Sequence, residues 1–304
     1  MHSRGALYPF LVTLVAIGLL SLMDSYMKAA SIAVGAFSAL VVRSLLSSGL
    51  TIPLWLWKGP GWPEKHVLRL HVIRGVNSAI MALTFFWALV YLPLAEAIAL
   101  AFISPVIALG LAAVILKEKI AGKAITAAML SLLGVVIIVG GRIGRETMSD
   151  EAALGVVMVL LSAAFYAWNL ILQRQQALVA KPLEIVTFQN VTVALVLLLG
   201  TPFFFRMPQG DAWIDIGMAT LLALVAAPMM AWAYARAEAQ VLVPVEYTGF
   251  AWAALFGWIF FGEEVRLTTI AGAALIIVGC WIAAPRKHTE QVATGVASPA
   301  EPRP

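Results

Sequence analysis

The octapeptide SLMDSYMK at residues 21–28 and the octapeptide YAWNLILQ at residues 166–173 lie 145 positions apart, with their polar residues in register. Ser21, Asp24 and Lys28 answer to Tyr166, Asn169 and Gln173. The same offset pairs Trp87 with Trp232, Glu118 with Glu263 and Gly134 with Gly279. An offset held over so much of the chain means that one half duplicates the other. A duplicated, very apolar half with a few polar residues is how many membrane-embedded carriers are built.

The composition around these segments sets the solvent. Of 304 residues 62% are hydrophobic and 12% charged, and the mean hydropathy is +0.94. Soluble domains carry roughly 25% charged residues, and a soluble core could not hide this much apolar surface. The chain therefore reads as an integral membrane protein, its partners a lipid bilayer and a small solute. Its formal charge of +4 lies between apolar stretches, so it bears on membrane orientation and not on nucleic acid. Cys280 is the sole cysteine, which excludes an intrachain disulfide.

Crossing the hydrocarbon core takes about 20 apolar residues as a helix. Ten stretches qualify: 6–27, 33–57, 69–91, 94–116, 123–141, 152–172, 183–205, 212–234, 238–261 and 267–284. Their apolarity on nearly every face excludes the alternating strands of a β-barrel. Short joints such as Tyr91-Leu92-Pro93 make consecutive helices antiparallel neighbours. Alternate sides of the ten spans collect fourteen and five basic residues, the five being Lys28, Arg142, Arg145, Arg206 and Arg266. The larger group includes the 58–74 segment with Arg69 and Arg74. The positive-inside rule puts that side, and both termini, in the cytoplasm.

The first stretch has a counterpart in mid-chain, so it reads as a retained helix and not a signal peptide. Residues 285–304, with Pro285, Pro299, Pro302 and Pro304, read as a disordered cytoplasmic tail. The expected architecture is all-α: ten transmembrane helices as two repeats, 6–141 and 152–284. Five spans per repeat make the copies inverted about an axis in the membrane plane, with a central site at their interface.

Charged groups at membrane depth cost roughly 2.5–3.5 kcal/mol on insertion scales, so each needs a reason. Ser21, Asp24, Ser25 and Lys28 share one helical face. Either Lys28 pairs with Asp24 at i,i+4 and snorkels to the interface, or the stripe faces a cavity, as its counterpart Ser162, Tyr166, Asn169 and Gln173 suggests. Arg43 lies near the middle of the second span. It either pairs with Asp24, Glu96 or Glu246, or offers its fork of donors to a carboxylate. Glu246 and Tyr247 follow Pro244 in the ninth span, and Pro105 interrupts the fourth. Interrupted helices at corresponding positions of two halves mark a transport site, and a desolvated Glu246 is a candidate proton carrier.

Trp55, Trp57, Trp62, Trp213, Trp258 and Trp281 fall near span ends as an interfacial belt, while Trp87, Trp168, Trp232 and Trp252 fall deeper. Gly122, Gly134, Gly140, Gly141, Gly272 and Gly279 give the fifth and tenth spans small surfaces for close helix approach. The histidines (His2, His66, His71 and His288) lie outside the spans or at an edge, which argues against an intramembrane metal site. Glu263-Glu264-Val265-Arg266 lacks the companion histidine of membrane-embedded proteases. No nucleophile elbow or phosphate loop occurs. An enzyme is not expected, nor is a cofactor.

Leu92-Pro93-Leu94-Ala95-Glu96-Ala97, then Ser104-Pro105 and Glu118 within LKEKI, resembles the fourth-helix region of an EamA domain. The matching stretch of the second half is VPVEYTGFAWAALFGWIFFGEE at 243–264, followed by GAALIIVG at 272–279. The chain thus resembles drug/metabolite transporter superfamily proteins with two tandem EamA domains. That resemblance implies ten helices as inverted five-helix repeats, a central cavity and movement of small metabolites across the inner (plasma) membrane. The 243–264 version is similar to that of proteins labelled S-adenosylmethionine uptake transporters.

The expected function is secondary active transport of a small organic metabolite, amino-acid-, nucleoside-, S-adenosylmethionine- or drug-like, by alternating access with possible proton coupling. The candidate site residues are Asp24, Arg43, Asn77, Trp87, Trp168, Asn169, Gln173, Glu246 and Tyr247, in a monomer or homodimer. A lipid or lipid-carrier flippase of the same fold, and a non-transporting membrane partner protein, are the alternatives.

Overall fold

The computed structural model describes residues 3–59, 61–104, 106–108, 111, 122–143, 150–234, 236 and 245–283. Among these residues every regular element is a helix: α1 (Ser3–Val34), α2 (Ala36–Trp57), α3 (Lys65–Tyr91), α4 (Leu94–Ala101), α5 (Gly122–Ile143), α6 (Asp150–Ala177), α7 (Pro182–Leu198), α8 (Thr201–Phe204), α9 (Ala212–Tyr234), α10 (Thr248–Phe261) and α11 (Leu267–Ala283). Five are long and apolar enough to cross a bilayer: α1 over Tyr8–Val34, α2, α3, α6 over Asp150–Gln173 and α9 over Ala212–Ala233. Met129–Gly141 of α5, α7, α10 and Leu267–Gly279 of α11 are shorter apolar helices.

Three boundaries differ from the sequence expectation, each for a local reason. The first helix does not stop near residue 27, because the apolar run continues to Val34. It ends at Gly35, whose φ of 86° is open to glycine at no steric cost, and α2 begins one residue later. The expected span 183–205 is broken at Gly200-Thr201-Pro202, since proline lacks the N–H that would continue the ladder. The fourth span leaves the α-helical path at Phe102 and Ile103, where the Ile103 N–H turns back to the Leu100 carbonyl at 3.2 Å. Pro105, Glu118, Pro244 and the 285–304 tail lie outside the described residues.

The helices pack as α1 on α9 and α10, α2 on α7, α3 on α6 and α7, α4 on α10, and α5 on α11. Met27, Leu89, Leu92, Leu94, Ile138, Ile216 and Ile276 are fully buried between them. Leu45, Val136, Val157, Leu195, Leu221 and Val225 are exposed, which suits lipid as the surrounding medium. At the α5–α11 contact a Cβ added to Gly134 would fall 2.5 Å from the Gly272 carbonyl oxygen, and one added to Gly272 equally near Gly134. The two backbones touch because neither residue has a side chain.

Candidate functional site

Polar side chains gather on the inner faces of α1, α2, α3 and α6. On α1, Asp24 is half-buried and interacts electrostatically with Arg43 of α2. The Arg43 guanidinium lies over the Phe86 ring at 5.9 Å, and its Nε has no hydrogen-bond partner. Of the three carboxylates the sequence offered to Arg43, Asp24 is the one that acts on it. Next to Asp24, the Ser25 hydroxyl donates to the Ser21 carbonyl at 3.0 Å. That bond keeps it within the helix and leaves the carboxylate to face α2.

A second cluster joins α3, α6 and α7. Arg74 Nε donates to Asn169 Oδ1 at 2.9 Å, and Arg74 Nη1 donates to Gln176 Oε1 at 2.6 Å. The Gln176 amide reaches His71 Nδ1 at 2.8 Å, and His71 Nε2 lies 3.0 Å from Glu184 Oε1. His71 and Gln176 are wholly buried. Phe188 stacks on the imidazole with centroids 4.9 Å apart. Glu184, in the first turn of α7, also lines an open cavity of about 780 Å³ beside Trp62, Lys58 and Lys181. The chain of polar contacts therefore runs from an open end of the bundle to Asn169, two turns before the end of α6.

Periodicity explains why these residues meet. Tyr166, Asn169, Gln173 and Gln176 fall at i, i+3, i+7 and i+10 and so line one face of α6. Tyr166 interacts electrostatically with both Arg74 and Glu246, which brings the segment preceding α10 to the same place. Tyr247 stands edge-on to Phe102 at 5.2 Å. Asn77 donates to the Phe165 carbonyl at 3.0 Å while its Oδ1 is buried without a partner. Gln173 is exposed on the polar face, and Trp87 is half-buried with its ring edge-on to Tyr91 at 5.8 Å.

Trp168 is different. It lies 40% exposed, with Leu161 and Val157, on the face of α6 that turns away from Asn169. Adjacent residues on a helix are about 100° apart, so closeness in sequence to Asn169 did not mean a shared face. Arg74, counted by the sequence reading among the charges outside the spans, is 5% exposed in the third turn of α3. Its signal was available: His71 and Arg74, at i and i+3, begin an otherwise apolar run. Gln176 extends the Tyr166 stripe by one further turn.

The ion pair of Lys28 is with Glu263 and not with Asp24. Lys28 is 3% exposed, donates to the Leu92 carbonyl at 2.7 Å and lies 4.9 Å from the Phe261 ring centre. Glu263 is placed by the end of α10. Gly262 has a φ of 63°, the left-handed conformation common at helix C-termini, and the Glu263 N–H reaches back to the Gly257 carbonyl at 3.1 Å. Gly257 leaves room for the returning carboxylate, since a Cβ there would stand 2.7 Å from Glu263 Oε2. The same oxygen accepts the Leu94 N–H at 2.7 Å, which satisfies an orphan donor at the start of α4. One ion pair thus ties α1, the α3–α4 joint and α10 together at the end of the bundle opposite Glu184.

An all-helical bundle with an apolar exterior and guanidinium and carboxylate groups on its inner faces defines a polytopic membrane protein with a polar interior. Residues 7–140 and 153–284 each match the EamA-like transporter family, and the chain belongs to that family. It is 28% identical over 264 residues to the pseudopaline exporter CntI of Pseudomonas aeruginosa (strain UCBPP-PA14), covering 86% of this chain and 90% of the exporter. It is 27% identical over 237 residues to a riboflavin transporter of Brucella anthropi, covering 75% of this chain and 80% of that one. A solved crystal structure with 21% identity superposes over 91% of this chain and 96% of its own, with a TM-score of 0.59.

Proposed function

We propose that this protein is a secondary transporter of a small organic metabolite that carries a carboxylate, working by alternating access. The carrying observation is Arg74, buried on α3 and held by the amide oxygens of Asn169 and Gln176 on α6. Arg74 is held by amide oxygens, which neutralise no charge, so a solute carboxylate completes its fork of donors. Asp24 and Glu246 then meet a cationic or protonated group of the same solute. The site comprises Asp24, Arg43, Arg74, Tyr166, Asn169 and Glu246, with Asn77, Trp87, Gln173 and Tyr247 around them. The amino-acid- and nucleoside-like classes both satisfy that chemistry.

The helix contacts support ten spans arranged as two inverted repeats. Under the 145-residue offset the α1–α9 contact becomes α6–α3, α1–α10 becomes α6–α4, and α2–α7, α4–α10 and α5–α11 exchange within themselves. Odd repeats of five spans place both termini on one side, and the basic bias makes that side cytoplasmic. In this arrangement the Lys28–Glu263 pair closes the outer end. Its counterpart position on the inner end carries Gln173, a neutral amide, so the two ends close with unequal strength. A thermal-shift screen of metabolites on the purified chain tests the site. A solute that stabilises wild type should lose that effect in Arg74→Gln and Glu246→Gln; one that stabilises all three equally would place binding elsewhere.

A further inference from the structure

The hydrogen-bond chain from Arg74 to Glu184 has only one consistent direction. Arginine carries donors alone, so Gln176 must present its amide oxygen to Arg74 Nη1 (2.6 Å). Its amide nitrogen then faces His71, which makes Nδ1 at 2.8 Å a bare acceptor. The imidazole proton is left on Nε2, donated to Glu184 Oε1 at 3.0 Å. The tautomer follows from the donor inventory of the chain and needs no assumption about hydrogen positions.

We infer that His71 is a proton-responsive positioning residue that sets, through the orientation of the Gln176 amide, whether Arg74 is held back or released to an anion in the central site. A second proton on His71 can go only to Nδ1. The new N–H then opposes the Gln176 NH₂ group, and the amide must turn half a revolution to offer its oxygen to His71. That turn aims the NH₂ group at Arg74 Nη1, so two donors face each other and Arg74 loses its acceptor. The guanidinium keeps Asn169 and is free to turn towards Tyr166, whose electrostatic contact already reaches it.

The surroundings leave His71 to these partners. Glu184 and the N-cap Lys181 come from α7, and its own helix carries Lys65, His66 and Arg69, all exposed, besides Arg74. Between Arg43 and Lys58, α2 carries no charged residue, nor does α1 between Arg4 and Asp24. The described α6 side chains near it, Gln173, Gln175 and Gln176, are neutral, and the charge of α4 is Glu96, in its first turn at the far end. By linkage, whatever favours Arg74 leaving Gln176 favours protonation of His71, and the reverse. Anion capture by Arg74 therefore takes up a proton at His71 Nδ1. The inference rests on the proposed transport role only for what Arg74 meets once released.

The test is ¹⁵N NMR on the full-length chain in nanodiscs, labelled at histidine and arginine and titrated between about pH 5 and 8. Four histidines keep the spectrum simple, and His71→Phe and Arg74→Lys assign the two signals. At the alkaline end His71 is expected as the Nε2–H tautomer. As it protonates, the Arg74 Nε–H resonance should shift along the same curve, and in Gln176→Leu the Arg74 step should vanish while His71 still titrates. An Nδ1–H tautomer, an Arg74 signal indifferent to His71, or an Arg74 step that survives in Gln176→Leu would overturn the inference. Should Gln176→Leu fail to fold, Gln176→Glu serves. Its carboxylate accepts from both neighbours, so Arg74 should stay in place at every pH, and a persisting step would again overturn it. None of these readings needs a transported solute, so the inference and the transport reading fail separately.

Discussion

Lys28→Met removes the cation that ties α1 to the α3–α4 joint and to α10 while leaving a side chain of similar length. The wild-type ammonium makes two charge-assisted hydrogen bonds, to Glu263 and to the Leu92 carbonyl. Removing one partner of a buried pair costs about 3–5 kcal/mol. Glu263 is 17% exposed and keeps the Leu94 N–H, so the lower end of that range applies, about 3 kcal/mol. On the proposed alternating-access reading the contact exists only while this end of the bundle is shut, so the loss falls on the shut state alone. It moves the open–shut equilibrium by about a hundredfold, at 1.4 kcal/mol per decade. Spin labels at Ile32 and Leu267, both exposed, with Cys280 replaced by serine, report the opening as a distance distribution by pulsed electron resonance. Lys28→Met should convert a short distance into a population dominated by a longer one. Lys28→Met combined with Glu263→Met should be milder than the sum of the two single changes by about 1 kcal/mol or more, because no orphaned charge remains. Unaltered distances together with additive single effects would refute the latch.

Three further outcomes are expected. Asp24→Asn leaves Arg43 without its counter-charge and should lower the melting temperature in detergent, and adding Arg43→Gln should restore part of the loss. Gly134→Val should destabilise by about 1–3 kcal/mol through overpacking against Gly272 and Ile276, read as an earlier thermal transition. Trp168→Ala should leave transport within about twofold, as exposed substitutions change energies by about 0.5 kcal/mol, while Tyr166→Phe, losing a hydroxyl between two charged groups, should reduce it by about tenfold.

Much of this molecule is legible in its sequence because membrane helices obey few rules. The 145-residue register, the apolar runs and the glycines of α5 and α11 each report a local or periodic constraint. Asp24 facing Arg43 was within reach because two opposite charges at membrane depth on neighbouring helices have few alternatives. Lys28 was misread because its partner Glu263 is 235 residues away and reaches it only through the left-handed turn at Gly262. Arg74 was counted as a loop charge because span edges are soft in sequence, and its burial depends on amides from α6. Trp168 shows the opposite error, where adjacency to Asn169 outweighed the helical angle between them.

The most direct measurement is solute movement in proteoliposomes under an imposed proton gradient, screened over small carboxylate-bearing metabolites for wild type, Asp24→Asn and Arg74→Gln. The account predicts that wild type moves at least one such solute above empty vesicles, and that both variants insert equally well but do not. Transport at wild-type rate by both variants, or no solute moved by the wild type, would contradict it.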